Sequence, residues 1–371
     1  MRTPVCKMLG IELPIFAFSH CRDVVVEVSK AGGMGVLGIS GYEPERVIEE
    51  LRWIEDHIGG KPYGVDILIP NTYQDVSQNK LDLAKILPKE QTEFVHQLCE
   101  QAGFPTLPAD EMAAQMQQYM SHVNMTPQDA ERLLDAALQF KGIKLVVNAL
   151  GTPPKEKVAE LHARGLKVGS LIGKVEHAHA QIDAGVDILV AQGTEAGGHT
   201  GLISSMVLWP QVVDAVGDVP VLAAGGVGRG KQMAAALAMG ASGVWCGSIW
   251  LGTKQSELDP LMKERFFEAK SEDAIQSRAL TGKPCRVLKS NYTEAWAQSG
   301  APKYLPMPLQ SFVGTEARLR IEKAKAKPWM SYPVGQLVGD MKYENTVRDV
   351  VQGMLTEFLE SVERLNALLE D

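Results

Sequence analysis

One histidine of this sequence lies in a glycine-rich loop directly after an apolar run. The stretch "QGTEAGGHTG", Gln192 to Gly201, follows "VDILVA" and contains His199, Glu195 and four glycines. Histidine titrates near neutral pH and can take a proton from a carbon next to an electron-withdrawing group. Glycines allow the backbone to approach a ligand closely. The pattern predicts a ligand site around His199, and the alternative interpretation is a loose turn with an incidental histidine.

Two other segments offer backbone donors at the end of an apolar run. "VLAAGGVGRG" leaves its run at Gly225 and Gly226, and "WCGSIW" does so at Gly247 and Ser248. Glycine N–H groups can approach a phosphate without a Cβ in the way, and a helix beginning near Gly230 would favour the anion. Barrel enzymes often bind phosphate in the loops after their seventh and eighth strands. These segments therefore predict a phosphate site, with two tight turns as the alternative.

Known nucleotide motifs do not account for these glycines. The sequence has no G-x-x-x-x-G-K-[ST] at this place and no G-x-G-x-x-G after its first apolar run. A nucleoside triphosphate or a dinucleotide bound by an open α/β sheet is therefore disfavoured.

Eight short apolar runs alternate with helix-like segments of crossover length, which is typical of an α/β protein with parallel strands. The runs cover residues 13–18, 34–40, 63–69, 144–150, 167–173, 187–193, 219–226 and 242–250. Their number favours a (β/α)8 TIM barrel over a doubly wound open sheet.

Two regions depart from this alternation. Residues 71–143 contain amphipathic segments and predict a mostly helical insertion after the third strand, since so long a structureless loop is improbable. Its second helix should begin at Thr126-Pro127, an N-cap followed by proline. The domain prediction is therefore a barrel formed by 1–70 and 144–290, the insertion at 71–143, and a C-terminal loop and helix at 291–371 that pack on the barrel. We expect the long final helix to form a docking or dimer surface.

Composition narrows the class of protein. The 371 residues carry a net charge of −8, which gives no reason to expect nucleic acid or an anionic membrane as partner. Five cysteines without C-x-x-C spacing argue against a disulfide framework and a zinc site, so no metal is expected. The absence of a signal-like or 18-residue apolar segment predicts a cytoplasmic protein.

At these residues the sequence resembles a known family. "AGGMGVLG", "AQGTEAGGHTG" and "VLAAGGVGRGKQMAAALAMGASGVWCGSIWLG" are similar to segments of the nitronate monooxygenase family, and FMN-dependent enoyl-acyl-carrier-protein reductases are similar to it too. The resemblance covers roughly 11–70 and 144–290, with a weaker match in "PVGQLVG". It implies a (β/α)8 barrel with non-covalent FMN.

The resemblance also implies roles for individual residues. His199 matches the histidine that acts as catalytic base, and Glu195 would orient the loop and the imidazole. The residues implied to bind the FMN phosphate are Gly225, Gly226, Cys246, Gly247 and Ser248. The residues implied to contact the flavin are Gln192, Gly197 or Gly198, and Asp66, which stands where the family usually has Asn.

The turn after the first strand departs from the family pattern. "FAFSHCRD" places His20 and Cys21 where small residues and Met are usual, so both become candidates for the substrate pocket. The leading prediction is FMN-dependent oxidation of alkyl nitronates with O2. The alternative is an FMN reductase that uses NAD(P)H to reduce an enone, an enoyl thioester or a quinone, and a phosphate-binding barrel without redox chemistry is the third. We expect a small-molecule substrate and consider a homodimer.

Overall fold

A closed ring of eight parallel strands forms the centre of the protein. The computed structural model describes residues 1–69, 87–121 and 126–369. Around the ring the strands are β1 (Ile15–Ser19), β2 (Met34–Gly38), β3 (Tyr63–Ile67), β4 (Ile143–Asn148), β5 (Lys167–Ile172), β6 (Ile188–Gln192), β8 (Val221–Ala224) and β9 (Gly243–Cys246). Pairing of β9 with β1 closes the barrel. The predicted (β/α)8 fold is confirmed, and each strand overlaps its predicted run.

Both faces of the strands are buried, which explains why the runs are continuously apolar rather than alternating. Every second side chain points inward, where Phe16, Val36, Val190 and Trp245 belong to one cluster. The intervening side chains pack against the surrounding helices. The barrel is therefore filled with side chains, and a ligand has room only at its ends.

The described residues contain sixteen α-helices, numbered here in chain order. The first nine are α1 (Pro4–Leu9), α2 (Arg22–Lys30), α3 (Pro44–His57), α4 (Lys89–Gln101), α5 (Ala109–Ser121), α6 (Pro127–Ala137), α7 (Lys155–Ala163), α8 (Val175–Asp183) and α9 (Ser205–Val216). The rest are α10 (Gly230–Ala238), α11 (Ser248–Leu251), α12 (Pro260–Glu268), α13 (Asn291–Ala297), α14 (Leu309–Val313), α15 (Thr315–Lys323) and α16 (Val347–Ala367). Within the described ranges, no helix combines the length and apolar character that crossing a bilayer requires.

The helix that follows β3 in the barrel ring is α6, which packs against α3. Its start is the predicted one. Thr126 and Asp129 form a reciprocal capping box, with Asp129 N donating to Thr126 Oγ1 at 2.9 Å. The range 71–143 therefore includes a helix of the ring, while residues 70–86 and 122–125 lie outside the described structure.

The C-terminal helix α16 occupies the eighth place in the ring, between α10 and α2. It lies so close to α10 that a Cβ on Gly230 would come within 2.0 Å of Met354 O. The predicted packing of the C-terminal helix on the barrel fits these contacts, and the side of α16 that closes the ring is therefore not free to form a docking or dimer surface. Residues 252–346 form an excursion between the eighth strand and this helix.

The excursion forms a second layer beside the barrel. Its strands β10 (Ala274–Ser277) and β11 (Cys285–Leu288) pair with each other, and β11 also pairs with the two-residue strand β7 (Gly198–His199). Helices α4 and α15 pack together and share a cluster that includes Trp296. Helix α5 begins at Ala109, directly after the stretch at 104–108, which forms neither helix nor strand.

Candidate active site

The ends of β8 and β9 form adjoining turns at one mouth of the barrel. Gly225 and Gly226 have φ values of +106° and +70°, which residues other than glycine rarely adopt. A Cβ on Gly225 would lie 2.5 Å from Ser205 Oγ, whereas a Cβ on Gly247 would have no atom within 4 Å. Helix α11 begins immediately after Gly247. Open space beside the backbone therefore lies at Gly247, next to the closely packed left-handed turn at Gly225 and Gly226, and an anionic group could be accommodated there.

The N-terminus of α10 is already capped by the protein itself. Gly230 N donates to Glu357 Oε2 at 2.9 Å, and Arg229 forms an ion pair with the same carboxylate. Gln232 Oε1 accepts the N–H groups of Gly228 and Arg229 at 2.9 and 3.0 Å. The expectation that the helix near Gly230 would favour a bound anion was therefore wrong, because an internal carboxylate occupies that end.

Glu195 secures the loop after β6. Its carboxylate accepts Ser205 N at 3.0 Å and lies 2.7 Å from Ser205 Oγ, which is also 2.9 Å from Gly225 O. The expected orientation of the loop by Glu195 fits these contacts. The expected contact with the imidazole of His199 is wrong, since that ring has a different partner.

The segment "PVGQLVG" lies directly on this loop. A Cβ on Gly197 would come within 2.8 Å of Gly335 N, and Gln336 N donates to Glu195 O at 2.9 Å. Gly335 N in turn donates to Ser248 Oγ at 2.8 Å. The loop after β6 is therefore fixed between β8 and the C-terminal excursion, and the Ser248 hydroxyl already has one protein partner.

His199 is held by the small outer sheet. Its backbone pairs with Cys285 of β11, and its Nε2 lies 2.9 Å from Thr281 Oγ1. Desolvation lowers the pKa of His199, and the charge of Lys283 lowers it further. The residue retains exposed surface. A neutral, accessible imidazole at the rim is therefore available to accept a proton.

A buried carboxyl group faces the mouth from the opposite side of the ring. Asp66 near the end of β3 is 4% exposed, and desolvation alone raises its pKa to about 8. Its Cα is paired with Gly38 of β2. In a ring ordered β1-β2-β3-β4-β5-β6-β8-β9, the third strand lies across from the seventh and eighth. A ligand held at Gly225 and Gly247 would extend toward Asp66.

His20 contacts β2 at Gly38, the residue whose register partner on β3 is Asp66. Its Nδ1 lies 3.0 Å from Gly38 O, and its ring contacts Phe18 edge-on with 5.1 Å between ring centroids. A carbonyl oxygen only accepts, so Nδ1 carries the hydrogen. Desolvation lowers the pKa of His20, which favours the neutral ring. The structure therefore places His20 with Asp66 at the mouth.

Gln192 is the last residue of β6, two positions after inward-facing Val190. The alternation of a strand directs its side chain toward the mouth. Nearby, Trp209 Nε1 donates to the carbonyl groups of Ala191 and Ala224, at 3.2 and 3.0 Å. These bonds hold the ends of β6 and β8 together beneath the loop of His199.

Two cysteines among the candidate residues point away from the mouth. Cys246 lies in the layer between strands and helices, where burial raises the pKa of its thiol to about 12. Only its backbone could serve a ligand at the mouth. Cys21 is buried at the start of α2 and its thiol donates to Gln255 O at 2.9 Å. Its Sγ lies within 4.8 Å of carboxylate oxygens of Asp23 and Glu257.

Sequence reasoning missed three residues that build this site: Thr281, Arg286 and Gly335. Arg286 is 8% exposed, and its Nε donates to Thr194 O at 2.7 Å. All three approach the loop from the excursion, about 80 or more positions along the chain. The weak motif "PVGQLVG" was the one available signal, and it indicated Gly335 alone.

Comparison with known proteins gives a consistent result. The family model described as nitronate monooxygenase matches residues 3–357. A Mycobacterium tuberculosis protein named only as a monooxygenase is 45% identical over 379 residues, covering 100% of both chains. A protein of Staphylococcus saprophyticus named as a nitronate monooxygenase is 28% identical over 79% of this chain and 80% of its own.

Solved structures with the same architecture include two enzymes of different name. FabK from Thermotoga maritima superimposes with a TM-score of 0.74 at 25% identity, covering 99% of each chain. A nitroalkane oxidase from Streptomyces ansochromogenes also gives 0.74 at 25% identity, covering 97% of this chain and 99% of its own.

Proposed function

Because the chain belongs to the nitronate monooxygenase family, whose members are FMN-dependent oxidoreductases, we propose that it oxidises alkyl nitronates with O2. The observation that carries this proposal is the position of His199, a neutral imidazole on a fixed loop beside the turns at Gly225 and Gly247. That arrangement provides a proton acceptor next to a place for a phosphorylated cofactor.

The residues at the mouth fit FMN. The left-handed turn at Gly225 and Gly226 and the open space at Gly247 would hold the phosphate. Among the residues that the structure describes, no charged group or hydrogen bond is found that stabilises the buried carboxyl of Asp66 as an anion, and its raised pKa of about 8 favours the protonated form at neutral pH. In that form it can donate a hydrogen bond to an acceptor on the ring edge. Gln192 would face the same ring from β6.

When bound, FMN supplies the electron transfer from the nitronate to O2. The protein contributes the placement of the substrate and the handling of its proton. His199 would deprotonate a neutral nitroalkane at the carbon that bears the nitro group, which yields the anionic nitronate. His20 and Asp66 border the mouth opposite His199, so they would limit the size of the group that enters.

Oxygen consumption tests this proposal directly. FMN-loaded protein should consume O2 when a preformed alkyl nitronate is added, and a variant without bound FMN should not. Absence of uptake with several nitronates of different chain length, by protein that has its full complement of FMN, would show that the proposal is wrong.

Similarity to FabK over 99% of the chain supports a second candidate, an NAD(P)H-dependent FMN reductase of enone, enoyl thioester or quinone substrates. Its test is anaerobic mixing with NADH or NADPH. Rapid loss of the flavin absorbance by either nucleotide would favour the reductase. A flavin that stays oxidised with both nucleotides would favour nitronate oxidation.

A further inference from the structure

The imidazole of His199 is hydrogen-bonded through one nitrogen, Nε2, to the hydroxyl of Thr281 at 2.9 Å. The same hydroxyl oxygen lies 3.1 Å from Lys283 O and 3.4 Å from Lys283 N. Three polar atoms therefore surround Thr281 Oγ1. Their donor and acceptor capacities decide which form of the imidazole the site holds.

Counting hydrogens gives a single consistent assignment. A hydroxyl has one hydrogen and two lone pairs. Lys283 O can only accept, so it takes the hydrogen of Thr281, and Lys283 N–H fills one lone pair. The remaining lone pair must accept from His199, which requires the hydrogen to be on Nε2. If Thr281 instead donated its hydrogen to Nε2 of His199, an oxygen lone pair of Thr281 would face the lone pairs of Lys283 O. Nδ1 is therefore the unprotonated nitrogen.

The turn that carries Thr281 is held in place from several sides. A Cβ on Gly282 would come within 2.0 Å of Leu305 O, which shows how closely the turn packs on the segment around Leu305 within the same excursion. Ser311 Oγ donates to Leu280 O at 2.9 Å, and Gln310 Nε2 donates to Ala279 O at 3.1 Å. The backbone of His199 is fixed independently by its pairing with Cys285. Both partners are therefore held by contacts that involve no ligand.

We propose that Thr281 is a positioning residue that fixes His199 in the Nε2–H tautomer and so makes Nδ1 the atom that accepts the substrate proton. The inference rests on the proposed function, in which His199 is the base. The C–H bond next to the nitro group breaks, its proton passes to Nδ1, and the electron pair remains on the nitronate. The resulting imidazolium keeps its Nε2–H bond to Thr281 and later releases the Nδ1 proton to solvent.

The charged and titratable groups around the ring are consistent with a neutral starting state. Lys283 on the adjoining turn disfavours a second positive charge and lowers the pKa of His199. Cys285, the strand partner, is buried and its pKa is raised to about 12, so its thiol is uncharged. Arg286, next on β11, directs its guanidinium to Thr194 O and Ala274 O. Glu195, on the loop of His199 itself, is bound to Ser205.

Nitrogen NMR of the FMN-loaded enzyme tests the tautomer without any substrate. Protein with 15N-labelled histidine should show His199, assigned by its loss in His199→Gln, with hydrogen on Nε2 and a pyridine-type resonance for Nδ1. Thr281→Ser should give the same pattern, and Thr281→Val should shift it toward a mixture of tautomers. An Nδ1–H pattern in the wild-type enzyme, or an unchanged pattern in Thr281→Val, would overturn the inference.

Kinetics provide the second measurement. A neutral nitroalkane needs proton abstraction, and a preformed nitronate does not. Thr281→Val should lower the ratio of kcat/KM for nitroalkane to that for nitronate at least about tenfold, a loss of the order seen when a general base is misplaced. Thr281→Ser should restore the ratio. An equal loss on both substrates contradicts the positioning role. If the wild-type enzyme oxidises neither substrate, the proposed function is wrong and the NMR result alone decides the tautomer.

Discussion

The hydroxyl of Ser205 and the carboxylate of Glu195 lie 2.7 Å apart, and their contact joins the loop after β6 to the end of β8. The same carboxylate receives the first N–H of α9, where a negative charge is favourable. The loop that carries His199 and the turn at Gly225 are thus connected through one small polar cluster. A change in the cluster should therefore affect both.

Ser205→Ala should lower the free energy of unfolding by about 1–3 kcal/mol, because the half-buried carboxylate of Glu195 and the carbonyl of Gly225 lose a shared partner. We also expect weaker retention of FMN, since the turn at Gly225 loses a support. Chemical denaturation and FMN titration measure the two effects. Glu363→Gln on the exposed part of α16 is the matched control. An FMN affinity equal to that of the wild type would refute the structural link to the phosphate turn.

The two glycine turns should respond differently to a methyl group. Gly225→Ala must adopt a φ near +106° and meet Ser205 Oγ, so we expect both lower stability and loss of FMN. Gly247→Ala meets no protein atom, so the unfolding free energy should stay within about 0.5 kcal/mol of the wild type. FMN affinity should nevertheless fall. Calorimetry and flavin titration would separate the cases, and normal FMN binding by Gly247→Ala would place the phosphate elsewhere.

The raised pKa of Asp66 predicts that the free energy of unfolding decreases as pH rises. Its pKa is raised to about 8 in the folded protein, so between the unfolded value near 4 and pH 8 the folded state holds a proton that the unfolded state has lost. Its contribution to folding therefore becomes less favourable across that window and levels off above it. The effect is on the order of 5 kcal/mol at most.

Asp66→Asn should remove this dependence. We expect the FMN-free variant to be more stable than the wild type at pH 8 by several kcal/mol and by much less at pH 5, as measured by urea denaturation at both values. A stability difference that does not change with pH would show that Asp66 is ionised in the folded protein throughout this range.

His199→Gln tests the base itself. The amide retains polarity but cannot hold an abstracted proton, so kcat/KM for a neutral nitroalkane should fall by roughly 10²–10⁴. The decrease for a preformed nitronate should be far smaller. Oxygen-electrode rates with FMN content matched by absorbance supply the comparison. Equal losses with both substrates would mean that His199 serves binding rather than proton transfer.

The barrel could be predicted from the sequence because strands that are buried on both faces are continuously apolar, and such runs are visible in the sequence. Glycines at the strand ends predicted the position of the barrel mouth for a similar reason, since few residues other than glycine adopt a φ near +106°, the value found at Gly225. These features depend on local backbone geometry. They can be inferred without knowing what packs on them.

Contacts from distant parts of the chain were not predictable in this way. Thr281 reaches His199 across 82 positions, and Glu195 bonds Ser205 rather than the nearby imidazole. The residue type of Thr281 or Glu195 does not indicate which distant residue it will contact. The packing of the final helix on the barrel was predicted, but its place as the eighth helix of the ring was not, because an amphipathic face fits either the barrel or a partner protein.

The bond between Gly230 and Glu357 has a consequence for the order in which the protein can mature. The ring of helices lacks its eighth member until residues 347–367 have left the ribosome, and the first turn of α10 lacks its capping carboxylate until then. Residues up to the end of α16 must therefore be synthesised before this end of the barrel can take its final form. If FMN binds at this mouth as proposed, we expect its capture to follow the synthesis of α16 rather than to guide the folding of the earlier strands and helices.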